Sequence, residues 1–260
     1  MFAKLLKHEW KATWGILGVL SLCALGAGVV GALMLRLLVA AAETNQSNPL
    51  TAISPTLLLF VILGLFVYSV GSSFLLYFRF YKNKFTDEGY LTFTLPAKSS
   101  EIFLASLVNM LVWSLIIGLV VCVSVGIIVV LGVGELLKDV FSLDALEQLL
   151  GMVDGEVILY LAMNALNAAS GVVLIMACIT LGAVVAKKHK LLVAVGFYYA
   201  VSTVRNTVST VLLASTMNNT QTFEKVMTVS SVSNAVIGVL FAVGGYFLSV
   251  YLMDHKLNLP

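Results

Sequence analysis

The sequence predicts an all-α, polytopic membrane protein with six transmembrane helices, both termini cytoplasmic, and an amphipathic interfacial helix at its N-terminus. Three observations predict it. Of the 260 residues, 60% are hydrophobic and 11% are charged, and the mean hydropathy is +1.03, more apolar than a soluble domain of this size requires. Long apolar runs recur six times, each at or above the ~20 residues that cross a hydrocarbon core. Eleven of the fifteen lysines and arginines fall in intervals on one predicted side, the bias that marks cytoplasmic loops.

Residues 1–14, MFAKLLKHEWKATW, open the chain. Phe2, Leu5, Leu6, Trp10 and Trp14 recur at helical spacing, and Lys4, Lys7, His8 and Lys11 take the other face. That pattern suits a helix in the membrane interface with its lysines toward anionic headgroups. No cleavable leader pattern is present, so no removed signal peptide is expected. Span one, about 15–39, is rich in small residues. Ala24 with Gly28 and Ala27 with Gly31 form small-xxx-small pairs that permit close helix approach. Arg36, near its outer end, can snorkel to headgroups.

Span two, about 54–78, starts at Ser54-Pro55, a helix-start signal. The interval 79–101, RFYKNKFTDEGYLTFTLPAKSSE, is the longest polar stretch on the predicted inner side. Pro96 disfavours helix at Leu95 and can start a new one behind it. Span three, about 102–133, is longer than a crossing needs and must tilt or protrude. Residues 134–156 are acidic and leucine-rich, read as one or two amphipathic helices on the outer surface. Span four covers about 157–186. The basic turn Lys187-Lys188-His189-Lys190 follows, then span five, about 191–214, a polar interval, and span six, about 226–252. The interfacial helix and the six-helix domain 15–260 are thus the two parts of the chain.

Composition excludes several functions. A net charge of +2 gives no footprint for nucleic acid. The three cysteines, Cys23, Cys122 and Cys178, lie inside apolar runs without a CxxC, and the three histidines sit beside lysines at span edges, so no metal site is expected. GxxxxGK[ST], HExxH and GxSxG are absent, so the chain has no P-loop with which to hydrolyse ATP. No catalytic residues are assigned. The middle of every span lacks Asp and Glu, which argues against a proton-coupled carrier, whose relays use intramembrane carboxylates.

Polar residues inside the spans are few and grouped. Span four carries Asn164, Asn167 and Ser170. Span five carries Ser202, Arg205 and Ser209 on one stripe, with Thr203, Asn206, Thr207 and Thr210 on the adjoining one. An arginine at the bilayer centre costs roughly 2.5–3.5 kcal/mol on insertion scales. These faces therefore read either as a substrate path or subunit interface, or as interhelical hydrogen bonds with Arg205 snorkelling outward.

Taken together, the basic N-terminal helix, six spans and the phrase Gly89-Tyr90-Leu91-Thr92-Phe93-Thr94-Leu95-Pro96 between spans two and three resemble the permease subunits of bacterial ABC exporters of the ABC-2 type. The resemblance covers the whole chain. It implies a protein of the bacterial plasma membrane whose 79–101 loop and N-terminal helix dock a separate ATPase. ATP and magnesium would bind on that partner, with no cofactor on this chain. It also implies pairing with a second permease, identical or different, and outward movement of a substrate. Asp87 and Glu88 would meet basic groups on the ATPase. Tyr90, Leu91, Phe93 and Leu95 would fill an apolar groove there, or else pack at the membrane interface. The interval between spans five and six is short, where family members often carry re-entrant helices. A non-transporting sensor, assembly or immunity protein is the other class left open.

Overall fold

The computed structural model describes residues 2–44, 49–86, 89, 98–134, 154–186, 188–217 and 223–255. The fold is all-α. Its six long helices are α1 (Phe2–Thr44), α2 (Pro49–Phe85), α3 (Ser99–Val133), α4 (Gly155–Val185), α5 (Lys190–Met217) and α6 (Phe223–His255). Each is long and apolar enough to cross a membrane, so the chain is a multi-pass membrane protein. No strand occurs among the described residues.

The helices outrun the apolar spans. α1 joins the basic N-terminal stretch and span one in a single helix of 43 residues, about 64 Å long. Gly15 and Gly18 leave it unbroken, because a lone glycine lowers helix propensity by only about 1 kcal/mol. α2 begins at Pro49, five residues before the expected start, and keeps Pro55 inside it. It continues to Phe85, so Arg79, Lys82 and Lys84 lie on its last turns and not in a loop. Cations are favoured there by the carbonyl end of the helix. α3 starts at Ser99, and the N–H groups of Glu101 and Ile102 donate to the Lys98 carbonyl at 2.9 and 3.2 Å. The polar interval between spans two and three is shorter than 79–101 at both ends.

The chain divides into two compact units. One comprises Lys7–Leu76 and Val112–Met152. Its packing depends on the small residues of α1. A Cβ on Gly28 would lie 3.0 Å from Ser124 Cα, and one on Gly31 would lie 2.9 Å from Val61 and 3.0 Å from Ile128. On α3, Gly132 meets Leu35 in the same way, at 2.8 Å. Ala24, Leu65, Val120 and Ile128 are buried in this seam. Ser124 Oγ donates to the Val120 carbonyl at 2.8 Å and lies 3.3 Å from that of Ala24. Nearer the N-terminus, the Trp113 indole N–H donates to Thr13 Oγ1 at 2.8 Å, and its ring stacks on Trp10 at 5.2 Å.

The second unit comprises Met1–Leu6, Tyr77–Leu111 and Val153–Pro260. Here α4 packs against both α5 and α6, most extensively against α6. The chain reverses between α4 and α5 within four residues. Gly182 makes this possible, since a Cβ there would lie 2.7 Å from Ala194 N and the Lys190 carbonyl. His189 takes a left-handed backbone, φ 55°. The core of the unit joins Phe80, Phe85, Phe103, Met110, Met176 and Met253.

Candidate functional site

α5 is the least apolar and the least buried of the six helices. Its serines and threonines satisfy themselves locally. Thr203, Thr207 and Thr210 donate to the carbonyls of Tyr199, Thr203 and Asn206 at 2.8–2.9 Å, the back-bonding by which hydroxyls are carried in apolar surroundings. All three, with Asn206, are exposed along the outer stripe.

The adjoining stripe is turned inward. Arg205 is half-buried, and its Nη2 donates to Asn167 Oδ1 on α4. One turn along α4, the buried Ser170 Oγ donates to the Asn167 carbonyl at 2.7 Å. α6 closes the third side with Gly238. A Cβ there would collide with Ser170 Oγ and lie 3.1 Å from Arg205 Nη2 and 3.2 Å from Asn167 Oδ1. Glycine thus lets the α6 backbone pack directly against the polar cluster. One turn further along α5, Ser209 Oγ donates to Asn234 Oδ1 on α6. The amide of Asn234 lies 3.5 Å from Ser230 Oγ.

The cluster sits deep in the helices. Arg205 is twelve residues from the end of α5 at Met217, about 18 Å along the axis. Asn167 is twelve residues from the start of α4 at Gly155, also about 18 Å. Equal depth on antiparallel neighbours lets Arg205 reach across to Asn167 instead of extending toward a helix end. The chain carries no Asp or Glu between Val157 and Phe223, nor between Lys225 and Met253. The guanidinium is therefore held by neutral oxygen.

A comparison with family models, with curated proteins and with solved structures finds no match.

Of the span residues picked out in the sequence, the structure joins Asn167, Ser170 and Arg205, and pairs Ser209 with Asn234. It leaves Asn164 exposed, its amide on its own Tyr160 carbonyl at 2.8 Å, and Ser202 on the Tyr199 carbonyl at 3.0 Å. Asn206 lies outside the cluster. Sequence reasoning missed the α6 contribution. The run Ser230-Ser231-Val232-Ser233-Asn234, four residues before Gly238, was the available signal. On α1, Lys4, Lys7 and Lys11 are exposed and Trp10 is half-buried. In the interval between α2 and α3, Asp87, Glu88, Tyr90, Leu91, Phe93, Leu95 and Pro96 lie outside the described residues. Gly89 is buried, and its N–H donates to the Thr86 carbonyl at 2.8 Å.

Proposed function

We propose that the chain is the transmembrane permease subunit of an ABC-type exporter of the bacterial plasma membrane. It would move a substrate outward with ATP hydrolysed by a separate ATPase docked on the interval between α2 and α3. One observation carries the reading. The helix ends that bracket this interval are locked to the helices that bear the polar cluster. Phe80 meets Phe85 and Phe103 edge-on at 5.6 and 6.2 Å, and Phe103 meets Tyr246 of α6 at 5.5 Å. Met176 of α4 and Ala194 of α5 are buried in the same core. Lys190 Nζ, at the start of α5, lies 3.4 Å from the carbonyl of Phe85, the last residue of α2. A displacement of the interval would thus move α4–α6 through packed side chains, and packed cores transmit strain because they are incompressible. The absence of a nucleotide motif and of intramembrane carboxylates agrees with energy supplied from outside the chain.

The test is co-purification from the native membrane in mild detergent with mass spectrometry of bound proteins. A P-loop ATPase should accompany the wild-type chain, and combining Asp87→Lys with Tyr90→Ala should release it while insertion stays normal. A double variant that keeps the ATPase and its stimulated hydrolysis at wild-type level overturns the docking assignment. Recovery of no ATPase with the wild type favours a non-transporting membrane protein. Orientation is checked in a cysteine-free background. Single cysteines at Ser47, Asp144 and Asn219 should react with an impermeant thiol reagent on intact cells. Those at the exposed Lys82 and Lys188 should not.

A further inference from the structure

We infer that two copies of this chain pair through the outer face of α5, with the Asn206 side chains of the two copies hydrogen-bonded to each other. α5 carries two seams with the same heptad spacing. Tyr198, Ser202, Arg205 and Ser209 recur at steps of four, three and four residues, and so do Tyr199, Thr203, Asn206 and Thr210. This is the spacing with which one helix meets another along its length. The first seam includes the groups that reach α4 and α6, Arg205 to Asn167 and Ser209 to Asn234. The second continues back through Gly196 and Leu192 at the same steps, and all six of its residues are exposed. From Leu192 to Thr210 it runs about 27 Å, most of the ~30 Å hydrocarbon core.

The outer seam is polar at a depth where lipid offers no hydrogen bond. Thr203 and Thr210 are satisfied by carbonyls of their own helix. The side-chain amide of Asn206 has no hydrogen bond among the described residues. Asn206 is eleven residues from the end of α5 at Met217, about 16 Å along the axis, beyond the reach of its side chain to a headgroup. An amide without a partner in hydrocarbon is costly, and polar side chains inside membranes hydrogen-bond across helices. An amide is donor and acceptor at once, so it is complementary to itself. Two copies inserted in the same orientation and related by a two-fold axis along the membrane normal place identical residues opposite each other. Asn206 then meets its counterpart at one depth, and a lone asparagine in a heptad seam fixes register in this way. Gly196 agrees with this arrangement. Nothing lies within 4 Å of a Cβ there, so no contact within the chain calls for glycine, whereas a second helix can approach closely over it. The pairing requires only that the chain spans the membrane, and it stands apart from the exporter reading.

Cross-linking in native membranes, from a cysteine-free background, tests the pairing. Single cysteines are placed at Thr203, Asn206 and Thr210. Controls at similar depth on the opposite face are placed at Val204 and Val208, both exposed. After oxidation with copper phenanthroline, the seam cysteines should give a product of twice the chain mass, and the two control cysteines should not. Mass spectrometry of the product identifies the second chain.

Self-association of the full-length chain is then measured in vesicles by energy transfer between labelled copies as lipid is added. Asn206→Leu should raise the dissociation constant by about threefold to tenfold, the worth of one or two hydrogen bonds between membrane helices. Asn206→Gln keeps both donor and acceptor and should stay near the wild type. The inference is overturned if the seam cysteines do not cross-link, or if Val204 and Val208 cross-link equally well. A product that holds a different chain in place of the second copy overturns it too, as does an Asn206→Leu variant that associates as tightly as the wild type. None of these outcomes bears on recovery of the ATPase, which tests the exporter reading separately.

Discussion

Between α1 and α3, the backbone of Gly28 approaches Ser124 so closely that a Cβ would stand 3.0 Å from Ser124 Cα. Among α4, α5 and α6, the contacts near mid-helix are instead made by Arg205 with Asn167 and by Ser209 with Asn234. The first contact exists because side chains are missing, and the second because polar side chains are present. In lipid, apolar side chains gain nothing by leaving their surroundings, so helices associate either by close van der Waals packing or by hydrogen bonds. The first device brings the backbones of the two helices into direct contact. The second carries a charge whose hydrogen-bond partner among the described residues is a neutral amide oxygen.

The largest effect is expected at Arg205. Arg205→Leu removes a residue that disfavours insertion by roughly 2.5–3.5 kcal/mol and adds one that favours it, so α5 should insert more readily by about 3 kcal/mol. Glycosylation mapping of α5 as a guest segment measures this. In the folded chain Asn167 Oδ1 loses the Arg205 donor, which costs about 1–3 kcal/mol and offsets most of that gain, so the folded yield of the whole protein should change little. A large loss of folded protein would mean that Arg205 holds the three helices together.

Gly28→Leu is the counterpart in the other unit. The new side chain would meet Ser124 backbone, and overpacking of this kind costs about 2–3 kcal/mol. Gly26→Leu is the control, because no atom lies within 4 Å of a Cβ there. Thermal unfolding in detergent should separate the two variants clearly. Equal melting temperatures would show that α1 and α3 do not pack through this face.

These two residues also show what could be read from the sequence. The spans were legible because hydrocarbon thickness imposes a length on apolar runs. Gly28 and Arg205 stood out because small residues and intramembrane charges have few uses in lipid. Helix ends were not legible. Hydropathy marks where a helix leaves the hydrocarbon, not where its hydrogen bonds stop, so α2 was expected to end near residue 78 and runs to Phe85. Nor could the sequence choose between the two polar stripes of α5. Residues 205 and 209 turn inward and 206 and 210 outward, and hydropathy alone does not distinguish adjoining polar stripes one residue apart. Gly238 gave no polar signal, because its contribution is the side chain it lacks.

Trp113→Phe tests a smaller polar element within the close-packed unit. The substitution keeps an aromatic ring against Trp10 and removes the donor to Thr13. Thr13 Oγ1 keeps the carbonyls of Glu9 and Trp10 at 3.1 and 3.0 Å, so no hydroxyl is orphaned. The loss should be about 1 kcal/mol, near the usual worth of one intramolecular hydrogen bond. A penalty several times larger would mean that this seam also depends on polar contacts.

The smallest effect, and one of opposite sign, is expected at Ser72. Among the described residues, most buried hydroxyls donate to the carbonyl three or four residues back, as Ser21, Ser106, Thr180 and Ser249 do. Ser72 Oγ is buried and has no partner among the described residues. It borders an apolar groove between α1 and α2, about 380 Å³ in volume, with Ala24, Ala27, Gly64 and Gly71. An unpaired buried hydroxyl costs part of its desolvation energy, so Ser72→Ala should raise stability by up to about 1 kcal/mol. Ser21→Ala, in the same unit, should do the reverse. Ser21 Oγ lies 2.8 Å from the Tyr68 hydroxyl as well as bonding the Leu17 carbonyl, and its removal leaves Tyr68 without that contact. Chemical denaturation of the two alanine variants in matched detergent gives both signs in one experiment. If Ser72→Ala destabilises the chain as much as Ser21→Ala does, Ser72 has a partner of its own, and the groove it borders is not dry.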